Sequence, residues 1–114
     1  MAKYRVPAEV RKIAKNAIEY NLSLPKSKRA SMKPDGSAGT GMRTARRLAS
    51  GSIDLDQAIL MRAWFARHGE SDKEAKARQD KTSKASIAWA LWGGNPARRW
   101  VRYLVRQAER KQKE

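Results

Sequence analysis

His68 is the only histidine of this chain, and there is no cysteine. One imidazole cannot assemble a zinc site, and without thiols neither a thiolate metal site nor a disulfide can form. No metal and no cofactor is therefore expected. His68 closes an apolar run, "LDQAILMRAWFARH", where the end of a helix dipole favours a cation. A structural or capping role is expected for it. The carboxylates lie mainly in polar stretches, and no pair shares a helix face at a catalytic spacing. "GSAGTG" (36–41) is rich in glycine but lacks the Gly-Lys-Ser/Thr ending and the preceding strand of a phosphate loop. None of these residues specifies a reaction, and the chain is read as a binding protein, not an enzyme.

The arginines carry more. In "GGNPARRWVRYLVRQAERK" (93–111), Ala97, Trp100, Val101, Leu104, Val105 and Ala108 recur at helical spacing. At 100° per residue, Arg98, Arg99, Arg102, Arg106 and Arg110 fall in a sector of roughly 120° on the other side. A guanidinium binds phosphate through two donors at once, which suits such a stripe to a nucleic-acid backbone. The chain as a whole supports this, with 26 Lys plus Arg against 11 Asp plus Glu and a formal net charge of +15. Such an excess attracts polyanions, most often nucleic acid. It is concentrated towards the two ends of the chain. Lys26, Lys28, Arg29, Arg43, Arg46 and Arg47 are therefore added as supporting contacts. The expected function is binding to nucleic acid, with DNA favoured over RNA, mainly through phosphates and with little base specificity. The alternative is a protein-interaction module docking on an acidic surface of a host enzyme, or a minor virion component.

These side chains need elements to hold them, and the pattern predicts an all-α fold: a compact bundle of four to five helices in one domain over 1–114. Pro7 suits a first turn, and Val10, Ile13, Ala14, Ala17 and Ile18 give an apolar stripe over 7–22. Residues 23–41 hold Pro25, Pro34, Gly36, Gly39 and Gly41 and are expected to form a long, flexible basic loop. A short helix over 42–50 ends at Gly51. Asp54 and Gln57 then offer a capping box, in which each side chain satisfies the other residue's backbone N–H. The helix they open, about 54–68, is apolar over most of its circumference, Trp64 and Phe65 included. It is expected to be the central, most buried one. Residues 69–84 read as a polar, solvated connection. A helix over 84–92 carries Trp89 and Trp92. Gly93 and Gly94 should end it at positive φ, with Asn95 capping the next helix and Pro96 in its first turn. Trp89, Trp92 and Trp100 are then mostly core.

"TARRLASGSIDLDQAILMRAW" invites comparison with a DNA-reading helix-turn-helix. The register opposes it. Arg46 and Arg47 stand where a small apolar residue should face the second helix, and that second helix lacks a polar face for the major groove. A buried helical hairpin is expected instead. No apolar run approaches the roughly 20 residues of a membrane span, and "MAKYRVPAEVRK" lacks the apolar segment of a secretory signal. A soluble protein of the host cytoplasm is expected, with the virion as the other location.

The stretch "FARHGESDKE…SIAWALWGGNPARRW", with "GTGMRTARRLASG" before it, resembles a small domain associated with bacteriophage genomes. Its signature is Phe-x-Arg-His at the end of one helix, then Ala-Trp-x-Leu-Trp-Gly-Gly, then a Trp in the next helix. The likeness covers residues 39 to 100. Asp and Gly are usual in that domain where this chain has Asn95 and Ala97. The resemblance implies a phage or phage-like origin and no particular activity. It gives Arg67 and His68 a part in holding the Trp-Gly-Gly turn.

Overall fold

The computed structural model describes residues 3–113. Six α-helices lie among them: α1 (Ala8–Ser23), α2 (Thr40–Ser50), α3 (Leu55–Gly69), α4 (Asp72–Ala77), α5 (Lys84–Leu91) and α6 (Gly94–Lys113). Two very short strands, β1 (Tyr4–Arg5) and β2 (Ser52–Ile53), pair antiparallel. The fold is the helical bundle expected. The strand pair is an addition to it, and a two-residue strand has no periodicity from which it could be read.

α1 occupies the middle of the bundle and packs against α2, α5 and α6. Its buried stripe is Val10, Ala14, Ala17 and Asn21, at the three- and four-residue spacing of one helix face. The two alanines let neighbouring helices approach closely. Asn21 is fully buried and serves the loop that follows. Its Nδ2 donates to the carbonyl of Ala30 and its Oδ1 accepts from the Ala30 N–H, each at 2.9 Å. Residues 23–41 are therefore a built loop and not a flexible linker. A 3₁₀ turn at Lys26–Lys28 follows α1, Ala30 is in the core, and Met32 bridges to Ala38. At the tip, the Ser37 hydroxyl and then its N–H donate to Asp35, and these bonds hold that carboxyl below its ordinary value. Asn21→Ala leaves both backbone groups of Ala30 unpaired, at roughly 1 kcal/mol each. A loss of about 2 kcal/mol in urea melts is expected, and parental stability would show that the loop is anchored elsewhere.

α2 ends at Gly51, whose φ of 107° is left-handed. The Gly51 carbonyl accepts from Val6 N–H at 2.9 Å, which extends the strand pair. Asp54 caps α3 by accepting from Gln57 N–H, as the pattern predicts. Gln57 does not complete the box. Its buried side chain turns to α2, accepting from Arg47 and donating to Thr44 Oγ1.

α3 departs from expectation in two ways. It is not the most buried helix: Ile59 and Leu60 are 41% and 47% exposed, and Ala63 and Ala66 also face solvent. Neighbours cover one side of it only, through Ala58, Met61 and Phe65. Nor does it form a hairpin with α2. The main packing of α2 is on α1 and α5, whereas α3 packs on α6 and α4. Short α4 lies in the stretch expected to be a solvated connection, and Ser71 caps it. Gly93 (φ 100°) and Gly94 (φ 70°) make the turn between α5 and α6, as predicted. Among the described residues no helix is long and apolar enough to cross a membrane.

Candidate functional site

α6 divides its faces sharply. Ala97, Val101 and Val105 are buried, with Trp100 and Leu104 packed beside them. Arg99, Arg102, Arg106 and Arg110 are exposed on the other side. Steps of three, four and four residues keep these four on one face, over about 16 Å of helix at 1.5 Å per residue. Tyr103, 60% exposed, stands among them. Two ion pairs form among the described residues, Arg62 with Glu109 at 2.9 Å and His68 with Glu74 at 2.7 Å. None of the four guanidinium groups is in an ion pair among the described residues, so none there has to be released before it meets a phosphate.

The remaining sequence-predicted cations divide by their bonding. Lys26, Lys28 and Arg46 are exposed without a side-chain partner among the described residues. Arg29 is half-buried and donates to the carbonyls of Leu22 and Leu24, which fastens the end of α1 to the loop. Arg43 donates to the Ala38 carbonyl, and Arg47 to Gln57. Arg98 stands apart from the stripe. It is half-buried, its guanidinium rests on Gly69, and its Cζ lies 5.8 Å from the centre of Trp89. A Cβ at Gly69 would come within 2.9 Å of that Cζ, so the glycine after His68 leaves room for the arginine.

A second feature sits where α3, α4 and α5 meet the loop before α2. A cleft of about 360 Å³ is lined by Trp64, Arg67, His68, Arg78, Trp89 and Trp92, with Ser31, Thr40, Gly41 and Glu74 also on its walls. Trp64 is stacked on Trp92 with ring centres 4.6 Å apart, and the His68 ring lies tilted 4.4 Å from it. Trp92 is buried, and Gly93 follows it directly. His68 thus touches the ring that stacks on Trp92, next to the Gly-Gly turn. Arg67 is exposed at the cleft. His68 Nδ1 is bonded to Glu74 Oε1, which leaves Nε2 as the ring nitrogen open to a ligand. Arg78 lies 4.0 Å over the Trp89 ring and donates to the His68 carbonyl at 3.1 Å.

Asn95 does not cap α6. It lies one residue inside the helix, and its Oδ1 accepts from Trp89 Nε1 at 2.9 Å. The left-handed Gly94 before it sets the direction of the new helix without a side-chain cap. The bond from Trp89 ties α5 to the first turn of α6, so Asn95 joins the two helices instead of starting one. Trp89 is half-buried, and Trp64, Phe65 and Trp100 pack on or within the core.

Ser31, Glu74 and Arg78 were not singled out by sequence reasoning. Arg78 and Glu74 carried a faint signal in the helical turn available to "DKEAKARQ". Ser31 carried none, since its place depends on a left-handed backbone that serine seldom adopts. Comparisons with protein-family models, curated proteins and solved structures give no significant match to this chain.

Proposed function

We propose that this protein is a small accessory protein, of the phage type that residues 39 to 100 resemble, which binds nucleic acid through its phosphates. The observation that carries the reading is the row of four exposed arginines on one face of α6, none of them in an ion pair among the described residues. Arg46, Lys26 and Lys28 add positive charge from other elements, and the net charge of +15 favours any approach to a polyanion. A single straight row of arginines follows a backbone and does not read bases, so little sequence preference is expected. DNA is favoured over RNA, and the host cytoplasm is the site of action. The role is one of binding, with no reaction assigned.

The test is a salt titration of affinity on random duplex DNA, single-stranded DNA and RNA. With about six phosphates contacted, affinity for duplex should fall by about a thousandfold between roughly 50 and 200 mM salt. No binding at low salt would refute the reading. Affinity that ignores salt would point to an uncharged interface.

A second reading has one observation of its own. Ile59, Ala63 and Ala66 on α3 line an open groove with three cations, Arg62, Arg98 and Arg102, and one carboxylate, Glu70. An exposed apolar strip edged by cations suits an acidic partner protein, of the host or of the virion. Ile59→Asp would abolish such docking and leave nucleic-acid affinity largely in place.

A further inference from the structure

The arginine row leaves the aromatic cleft without a task, yet the cleft has features that bulk packing does not require. Ser31 is the one non-glycine among the described residues with a left-handed backbone, at φ 54°, and it lines the cleft. Backbone strain of this kind is held in place by its surroundings and gathers at functional positions. Here the holding contact is the Ser31 carbonyl, which accepts from Gly39 N–H at 2.6 Å. Gly41 is the second feature. A Cβ there would lie 2.3 Å from Ser31 Oγ and 3.3 Å from Trp92 Nε1, so its absence makes room for the hydroxyl beside the indole N–H on the cleft wall. Trp92 is 3% exposed, and its indole N–H has no acceptor among the described residues, unlike that of Trp89. The third feature is the balance of charge. Arg67, His68 and Arg78 line the same space, and the one carboxylate on its walls, Glu74, is bonded to His68 Nδ1. The cleft thus offers hydrogen-bond donors on two walls with stacked aromatic rings between them.

We infer that this cleft is a pocket for a phosphate monoester, and that its occupant is the terminal phosphate of a nucleic-acid strand. The second half rests on the proposed function; the first does not. A doubly charged phosphate suits two guanidinium groups, a hydroxyl and an indole N–H, since bonds from charged donors are the strong ones. The pocket volume is near the low end for small-ligand sites. It admits a phosphate with one attached nucleoside, not a base pair. Arg78, held over Trp89, presents a guanidinium plane on which an unpaired base can rest. An internal phosphodiester carries a single charge and a chain on both sides, so the strand end fits this site better.

The experiment compares one oligonucleotide sequence with a 5′-phosphate, with a 3′-phosphate, and with hydroxyls at both ends, on the full chain. Tryptophan fluorescence is followed in parallel with a nucleoside monophosphate and with inorganic phosphate. A preference of about tenfold for one phosphorylated end is expected, together with a saturable fluorescence change on adding the monophosphate. Arg67→Ala should erase the difference between the strands. Ser31→Gly relieves the backbone, so it should fold at least as well as the parent and still lose the preference. Arg99→Ala with Arg102→Ala and Arg106→Ala should weaken all strands alike and keep the preference. Equal affinity for all ends, with no response to the monophosphate, overturns the inference and leaves the proposed function standing. A response to the monophosphate without any strand binding keeps the pocket and overturns the proposed function. A response to the monophosphate with strand binding indifferent to its ends makes a free nucleotide the occupant and overturns the strand-end assignment.

Discussion

Trp92→Ala lowers the stability of this domain by about 3 to 5 kcal/mol, the cost of removing a large aromatic side chain from a core. Trp92 is buried and lies face to face with Trp64, their ring centres 4.6 Å apart and their planes 9° from parallel. Its removal takes away the ring stacked on Trp64. Small domains have only about 5 to 15 kcal/mol in total, so the variant should melt far below the parent or fail to fold. Trp89→Ala should cost less, because that ring is only half-buried. Thermal melts of the two variants check the order. A Trp92 variant as stable as the parent would show that the stack does not hold the fold together.

The turn after Trp92 gives the second large effect, and its two glycines should behave differently. Gly93→Ala costs about 1 to 2 kcal/mol for a left-handed residue with a Cβ. Crowding adds about 1 to 3 kcal/mol, because the new Cβ would come within 2.5 Å of the Ala97 Cβ and 3.0 Å of Val10 Cγ1. Both neighbours are fully buried on packed helices and have little room to yield. The total is about 2 to 5 kcal/mol. At Gly94 the nearest atom would be Ile13 Cγ2 at 3.4 Å, an ordinary contact, so Gly94→Ala should cost the strain alone. Urea melts of the pair separate conformational strain from crowding. Equal losses would mean that the close approach of α1 to this turn is unimportant.

That turn was legible in the sequence because Gly-Gly between two apolar stripes leaves few alternatives. The stripes of α1 and α6 were legible for the same reason, since each alternates faces at helical spacing. The sequence of α3 does not show which side is buried, because most positions in "LDQAILMRAWFA" are apolar or small. Ile59 and Leu60 are left outside. Asn95 was misread because it has the right chemistry for a cap, while the Trp89 indole, six residues earlier, competes for the same oxygen. The arginine row could be counted off from the spacing alone. Only tertiary contacts set Arg98 apart from it, and only they engage Arg29, Arg43 and Arg47 in structural bonds. The cleft was the least visible part. Its walls come from positions as far apart as Ser31, His68, Arg78 and Trp92, and no local pattern joins them.

The central claim is that the α6 arginines bind phosphates, and the most direct measurement is the salt dependence of duplex binding by the variant with Arg99, Arg102 and Arg106 all changed to Ala. Each phosphate contact contributes about 0.9 to the slope of log affinity against log salt on B-form DNA. Loss of three contacts should flatten the slope by about 2.7 and weaken binding on every sequence to a similar degree. Stability should stay within about 0.5 kcal/mol of the parent, since all three side chains are exposed. A variant that folds like the parent and keeps its slope and affinity would contradict the account.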